Sequence, residues 1–314
     1  MFLRVSLLLV LLCFPLFAQN EINEVVEVSL VDLYLTATDG KGRFVTDLKP
    51  EDLQVFENGA PQTIDRFSVF AGEHGEVPLL LAIVIDNSGS MDEMIGDVRR
   101  LDLSRDAAQS LISQLGPLDR VMLVRFSDVP LITQLTENRE EVKNTLTALR
   151  IVWAPTALFD AMVSVFRDLG QNYGRKVLFL CSDGQDNISR TKFKEVIDQA
   201  VDITDLTVVV LGVGATNSTI GGGARGKEVP DIPYLRSKEY LQNLADRTAG
   251  FAYFPQNQKD VAGVLDRMAT FIRSQYHLAY KSTNPSTDNS YRTIEIRTKR
   301  RGVTLHYRKG YRLK

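Results

Sequence analysis

The stretch LLLAIVIDNSGSM, residues 79–91, decides how the chain folds. Its first seven residues are apolar without interruption, which is typical of a β-strand that is buried on both faces. Asp86 ends the apolar run, and a turn rich in serine and glycine follows it. The stretch therefore predicts a helix-covered parallel sheet whose polar side chains begin where this strand ends.

Strands and helices alternate along the middle of the chain. Apolar runs over 121–126, 176–182 and 206–213 predict further strands, and apolar residues at helical spacing follow them. Cys181 lies in one of these runs, so we expect it to be a small buried hydrophobic residue. The alternation predicts the α/β fold class, with a Rossmann-like, doubly wound and mostly parallel sheet.

Two flanking segments have strand-like patterns instead. Asn58-Gly59 is a hairpin-type turn, and Ile294 and Ile296 alternate with polar residues. Each segment is close to the length at which a separate core is only marginally stable. We therefore expect the two segments to pair into one small β-sandwich with the α/β domain inserted between them. The predicted domains are an N-terminal β segment (19–76), the α/β domain (77–275) and a C-terminal β segment (276–314).

Residues 1–18 have the pattern of a secretory signal peptide. Arg4 supplies a positive charge, a short apolar run follows, and Ala18 precedes a polar sequence. Leu16 is larger than cleavage sites prefer, so an uncleaved anchor is an alternative, although the apolar run is shorter than the ~20 residues of a membrane span. The pattern predicts an exported protein and leaves open the periplasm, the cell surface and the medium.

The composition is that of an ordinary globular protein, with 44% hydrophobic and 24% charged residues. These values exclude a disordered or collagen-like chain. A net charge of −2 over 314 residues argues against a nucleic-acid-binding protein, which would be strongly basic. Residues 276–314 are the exception, with ten lysines and arginines against two acidic residues. Contact of this basic end with a membrane or an anionic polymer is an open alternative.

Three short motifs bring oxygen-bearing side chains to the ends of predicted strands. They supply Asp86, Ser88, Ser90, Thr156 and Asp183. The carboxyl ends of parallel strands meet at one edge of a sheet, where ligands bind. Carboxylates and hydroxyls are hard oxygen donors that suit Mg²⁺, with Mn²⁺ or Ca²⁺ as alternatives. Each motif alone is compatible with an ordinary turn or helix cap, but the three together predict a metal site.

With these motifs, the middle of the chain resembles a von Willebrand factor type A domain with a complete metal-ion-dependent adhesion site. The family's Asp-x-Ser-x-Ser falls on Asp86, Ser88 and Ser90, its threonine on Thr156 and its second aspartate on Asp183. The resemblance implies that the hydroxyls ligate the ion directly and that the carboxylates often act through water. It also implies a protein partner that presents an acidic residue to the ion.

The flanking segments resemble, more weakly, a bacterial exported group of such proteins. The resemblance rests on Thr-Asp-Gly-Lys-Gly-Arg at 38–43 and Arg-Lys-Gly-Tyr at 308–311. It implies no established activity.

Two other patterns do not predict a site. Residues 221–227 nearly match a phosphate-binding loop, but Glu228 stands where a magnesium-binding serine or threonine is required, so no nucleotide is expected. A catalytic serine needs a base, and the histidines, His74, His277 and His306, all lie outside the α/β domain. We therefore expect no enzymatic activity.

A long connection, 215–237, is predicted between the strand that ends at Val213 and a helix near Lys238. It exceeds the ~12–15 residues beyond which a structureless loop is usually functional or disordered. It leaves the sheet at the same edge as the metal site and is basic, which suits an acidic partner. A surface insertion without a role is the alternative.

These observations predict an exported, metal-dependent protein-binding or adhesion module in which an acidic residue of a protein partner completes the coordination of Mg²⁺. The alternative is a structural or chaperone-like subunit of a cell-envelope complex in which the metal site is silent.

Overall fold

The structure is a computed structural model that describes residues 30–69, 77–203, 205–214, 219–220, 229–230, 232–271, 274–284, 286 and 288–312. The predicted signal peptide, 1–18, lies outside the described residues. None of the helices in the described part of the chain combines the length and the apolar character that a membrane span requires.

The strands are numbered in chain order. Those of the N-terminal segment are β1 (Leu30–Asp39), β2 (Leu53–Glu57), β3 (Ala60–Gln62) and β4 (Ile64–Val69). Those of the middle of the chain are β5 (Leu79–Asp86), β6 (Met94–Ile95), β7 (Val98–Arg99), β8 (Arg120–Phe126), β9 (Leu131–Ile132), β10 (Arg175–Ser182), β11 (Leu206–Gly212), β12 (Thr219–Ile220), β13 (Val229–Pro230) and β14 (Phe251–Tyr253). Those of the C-terminal segment are β15 (Gln275–Lys281), β16 (Tyr291–Thr298), β17 (Val303–Tyr307) and β18 (Gly310–Arg312).

Among the described residues, the helices belong to the middle of the chain, apart from one short 3₁₀ helix. They are α1 (Arg100–Ile112), α2 (Arg139–Thr147), α3 (Leu158–Gly170), α4 (Phe193–Asp202), α5 (Ile232–Arg247) and α6 (Gln258–Phe271). Short 3₁₀ helices cover Pro50–Asp52 and Gly89–Asp92.

The middle of the chain forms a six-stranded sheet in the order β14-β11-β10-β5-β8-β9. Neighbouring strands are parallel, except that β9 pairs antiparallel with β8. β5 and β10 lie side by side, with Leu79 opposite Arg175 at one end and Ile85 opposite Cys181 at the other. The predicted fold class, a mostly parallel sheet flanked by helices, is confirmed.

Every residue of β5 is buried, because helices cover both faces of the sheet. The odd-numbered residues from Leu79 to Ile85 pack in one cluster with α1, α2 and α6, and the even-numbered residues from Leu80 to Val84 pack in a second cluster with α3, α4 and α5. This division follows from the period of two of a β-strand. Burial of each leucine, isoleucine or valine side chain of this strand contributes about 1.5–3 kcal/mol. Cys181 is buried in the first cluster, as predicted.

The flanking segments form two four-stranded antiparallel sheets, in the orders β17-β1-β15-β4 and β18-β16-β2-β3. In both sheets, N-terminal strands pair with C-terminal strands: β1 pairs with β15 and β17, and β2 pairs with β16. Leu33, Val55 and Ile296 belong to one hydrophobic cluster that the two sheets share. The two ends of the chain therefore complete one another's core.

The predicted turn Asn58-Gly59 joins β2 to β3 as a two-residue hairpin, with Glu57 opposite Ala60. Both turn residues have positive φ angles, 48° and 81°. Asparagine and glycine are the residues that adopt this backbone conformation most readily, so the sequence alone predicts this turn.

Glu57 is a buried carboxylate at the centre of the sandwich. It accepts hydrogen bonds from the hydroxyls of Tyr280 (2.7 Å), Ser282 (2.7 Å) and Tyr311 (2.9 Å) and from Arg292 Nη1 (3.0 Å). Arg292 is also buried, so these two charges form a buried salt bridge. All four donors follow Glu57 by at least 223 residues in the sequence. The network therefore joins the two ends of the chain.

Arg308 docks the sandwich against the α/β domain. Its guanidinium donates to the main-chain oxygens of Val201 and Ile203, at the C-terminal end of α4, and to that of Gly310. A positive charge is favourable beside the carbonyls that end a helix. Burial lowers the pKa of Arg308 to about 10, so the side chain stays charged at neutral pH. A side chain at Gly310 would collide with the Arg292 carbonyl oxygen. The structure therefore explains two residues of the Arg-Lys-Gly-Tyr motif, the arginine by its docking contacts and the glycine by lack of space.

The connection 215–237 differs from the prediction. α5 begins at Ile232, six residues before Lys238, and 219–220 pair with 229–230 as two short antiparallel strands. The expectation of a structureless loop up to 237 is therefore wrong. Pro233 is compatible with this helix start, because the missing N–H of a proline in the first turn of a helix has no partner to lose. Residues 215–218 and 221–228 of this connection lie outside the described residues, together with Asp231.

We predict that Glu57→Gln lowers the free energy of unfolding by about 3–5 kcal/mol, because it leaves the Arg292 guanidinium buried without its counter-charge. Urea unfolding followed by circular dichroism measures this loss. Glu295→Gln is the matched control, since Glu295 pairs with Arg297 at the surface of the neighbouring strand β16. Equal stability of the two variants would contradict the central role of Glu57.

We predict that Arg308→Met destabilises the protein by about 1.5–3 kcal/mol, because the end of α4 loses its charged hydrogen-bond donor. Hydrogen exchange should rise at the last turn of α4, whereas Arg301→Met, at an exposed position of the same segment, should leave exchange unchanged. Unchanged exchange at α4 in Arg308→Met would show that the contact does not dock the two parts.

Candidate metal centre

The Asp-x-Ser-x-Ser motif folds back on itself at the carboxyl end of β5. Asp86 is the last residue of β5, and the Ser88 backbone N–H donates to its Oδ1 at 2.9 Å. The hydroxyl oxygens of Ser88 and Ser90 are 3.2 Å apart, and the short helix Gly89–Asp92 begins between these two serines. The motif therefore gathers a carboxylate and two hydroxyls in one turn.

Asp183 reaches the same edge from β10, the neighbour of β5. Ser182, the last residue of β10, donates its hydroxyl hydrogen to Asp86 Oδ2 at 2.8 Å, and its Oγ accepts the Gly184 backbone N–H at 3.0 Å. The sequence does not single out Ser182, because only the lateral pairing of β5 with β10 brings it to Asp86. Ser182 is fully buried and orients the first carboxylate of the candidate site.

One oxygen of the Asp183 carboxylate has no hydrogen-bond partner in the described part of the protein. Its Oδ1 accepts the Gln185 backbone N–H at 3.0 Å, whereas its Oδ2 is buried and unpartnered. Such an atom is rare in folded proteins and costs free energy. Burial and the neighbouring Asp183 charge raise the pKa of Asp86 to about 7. A cation would offset both effects, since it favours the ionised form of each carboxyl group.

Thr156 is held by the loop that follows Asp183. Its backbone N–H donates to Asn187 Oδ1 at 3.2 Å, and its carbonyl oxygen accepts the Asn187 N–H at 2.8 Å. Asp186 accepts the N–H of Phe159, in the first turn of α3, at 2.9 Å, which is a favourable place for a negative charge. Sequence patterns do not reveal Asp186 or Asn187, because a Ser-Asp-Gly turn predicts no contact with a segment 31 residues earlier.

The predicted ligand residues all lie at the carboxyl edge of the parallel sheet. Asp86, Ser88, Thr156 and Asp183 are buried, and Ser90 is half-buried. Within the described ranges, no cluster of three or more His, Cys, Asp or Glu side chains could hold a metal ion. A metal at this edge would therefore need the hydroxyls as ligands. A donor set of oxygens alone fits a hard cation such as Mg²⁺ and does not favour zinc, which prefers nitrogen and sulfur.

Several solved structures are similar to this chain at low sequence identity. The pilus adhesin SpaC from Lactobacillus rhamnosus GG has a TM-score of 0.50 and 12% identity, over 71% of this chain and 35% of that chain. A von Willebrand factor type A protein from Catenulispora acidiphila has a TM-score of 0.49 and 12% identity, over 91% of this chain and 74% of that chain. The conserved hypothetical protein BatB from Bacteroides thetaiotaomicron has a TM-score of 0.45 and 18% identity, over 62% of this chain and 99% of that chain.

Comparison by sequence finds a match over a shorter part of the chain than comparison by structure does. No curated protein matches the sequence at a significant level. The family model for the von Willebrand factor type A domain matches residues 81–185, a span that contains every predicted ligand residue. Residues 81–185 therefore match the von Willebrand factor type A domain, and the helix-covered parallel sheet that contains them has the Rossmann-like fold of that domain.

Proposed function

We propose that this chain is a metal-dependent protein-binding module that holds Mg²⁺, or alternatively Mn²⁺ or Ca²⁺, through the candidate metal centre. The residues of this centre are Asp86, Ser88, Ser90, Thr156 and Asp183. The observation that carries the proposal is the buried, unpartnered Oδ2 of Asp183 beside the equally buried Asp86. Two neighbouring buried carboxylates destabilise a fold unless a cation compensates them.

The hydroxyl ligands indicate what the bound ion would do. Because hydroxyls are neutral, the ion would keep much of its positive charge and attract a further anionic ligand. We propose that this ligand is a carboxylate of a protein partner. Binding is favoured over catalysis, because the histidines that the structure describes pair within the sandwich. His277 pairs with Asp32 at 2.7 Å, and His306 pairs with Thr38 at 2.9 Å.

We further propose that the protein acts outside the cytoplasm, in the periplasm, at the cell surface or in the medium, because residues 1–18 have the pattern of an export signal. Contact of the basic C-terminal end with an anionic surface has less support. Arg297 pairs with Glu295, Arg300 pairs with Asp47, and Arg308 binds main-chain oxygens, so these charges already have partners in the protein.

We predict that Mg²⁺ raises the melting temperature of the natural protein but not that of Asp183→Asn. Asparagine keeps the shape and the acceptor for Gln185 N–H but removes one of the two buried charges. An ion that binds only the folded state stabilises it by about 2.7 kcal/mol at a concentration of 100 Kd. In EDTA, Asp183→Asn should be at least as stable as the natural protein, because the repulsion between the carboxylates is gone.

Calorimetric titration with Mg²⁺ provides the direct measurement for the same variants. Asp198→Ala is the matched control, because Asp198 is an exposed carboxylate on α4 that pairs with Lys194. The control should bind Mg²⁺ normally, whereas Asp183→Asn and Asp86→Ala should not. Unchanged Mg²⁺ affinity in both site variants would refute the metal centre.

A second prediction concerns the partner. Thr156→Ala should weaken partner binding more than Mg²⁺ binding, because a single neutral ligand adds little to the affinity for the ion itself. Proteins from a cell-envelope extract, captured on the immobilised chain in Mg²⁺, should elute with EDTA, and Thr156→Ala should retain less of them than the exposed control Thr145→Ala. Partners that stay bound in EDTA would favour the structural-subunit alternative.

A further inference from the structure

The one tryptophan of the sequence, Trp153, lies beside the candidate metal centre. Its ring packs on Gly89, so closely that a Cβ added at Gly89 would lie 2.5 Å from a ring carbon. Gly89 separates Ser88 from Ser90, so the indole lies against the turn that carries these two serines. The Val152 N–H donates to the Asn87 carbonyl at 2.7 Å and holds this segment in place.

The Trp153 side chain is nevertheless 79% exposed. A tryptophan that is held in position and left in water contributes nothing to the core. An exposed tryptophan beside a candidate ligand site can anchor a partner, because tryptophan is enriched among the residues that dominate binding energy.

Two more exposed apolar side chains lie on loops that are hydrogen-bonded to the Thr156 segment. Val129, 62% exposed, lies two residues after Ser127, whose carbonyl accepts the Ala157 N–H at 2.7 Å. Ile188, 47% exposed, donates its own N–H to the Thr156 carbonyl at 3.3 Å. We call Val129, Trp153 and Ile188 the apolar rim. Each belongs to a loop at the carboxyl edge of the sheet.

We infer that the apolar rim makes the site selective for an exposed peptide segment in which an acidic residue is flanked by large apolar side chains. This inference rests on the proposed function, since the metal would bind the acidic residue. The rim would contact the flanking residues and exclude water from the ion–carboxylate contact, which strengthens it. Val129 and Ile188 offer no hydrogen-bonding groups from their side chains, so an acidic polysaccharide would gain little from the rim beyond Trp153.

The test uses a displayed library of short peptides with a fixed central Asp or Glu and random flanking residues. Peptides that bind in Mg²⁺ and elute with EDTA should be enriched in aromatic and large aliphatic residues beside the fixed acidic residue. Their binding should also change the fluorescence of Trp153, which is the only indole in the chain.

Trp153→Ala should lower the affinity for these peptides about tenfold to a hundredfold and leave Mg²⁺ affinity unchanged. Trp153→Phe should restore part of the loss. Tyr173→Ala is the matched control, because Tyr173 is 76% exposed but precedes β10, at the opposite edge of the sheet.

The outcomes separate the two proposals. EDTA-eluted peptides without apolar flanking residues, or with equal affinity for Trp153→Ala, would overturn the inference and leave the proposed function standing. A parallel fall in Mg²⁺ affinity would show that Trp153 only supports the metal-binding turn, and would also overturn it. The absence of any EDTA-eluted peptide would refute the proposed function together with the inference. Binding of polygalacturonate in preference to every peptide would replace the peptide partner with a polysaccharide.

Discussion

The parallel pairing of β5 with β10 is the constraint on which the candidate site depends. Both strands are buried along their whole length, and their interiors are apolar, so their polar side chains lie at the strand termini. Because the strands run in the same direction and in register, their polar ends meet at one edge. Asp86 and Asp183 are thus neighbours as a consequence of the apolar residues before them. The hydrogen bond from Ser182 to Asp86 connects the two strand ends directly.

A stable hydrophobic core lies next to an energetically unfavourable pair of carboxylates at the edge of the sheet. The hydrophobic clusters on both faces of the sheet stabilise the scaffold, whereas the carboxylates at its edge are buried with the same sign of charge. Proteins tolerate such local instability at functional sites because the surrounding core compensates it. The unpartnered Oδ2 of Asp183 is a sign of this situation, because buried side-chain oxygens normally have a hydrogen-bond partner.

The sandwich solves a different problem, which is how two short terminal segments form a core. Neither segment supplies a complete sheet, but each sheet contains strands from both ends of the chain, and the two sheets share one hydrophobic cluster. Glu57 and Arg292 add a charged pair to this core, surrounded by hydroxyl donors from the C-terminal segment. Arg308 then connects the sandwich to α4. The sandwich is therefore bound to the α/β domain by contacts as well as by the chain itself.

The sequence by itself determined those features that depend on local patterns. The continuous apolar run of β5 predicted a strand buried on both faces, the Asn58-Gly59 pair predicted a hairpin turn, and the motif residues were predicted at strand ends. These predictions succeed because the period of a strand and the backbone preferences of Asn and Gly act over a few residues. Only the tertiary structure decided which distant groups meet. Ser182 reaches Asp86 because β10 pairs with β5, and Glu57 meets partners more than 200 residues away. The sequence did not reveal that α5 starts at Ile232, because the local signal is ambiguous: proline is compatible both with a loop and with the first turn of a helix.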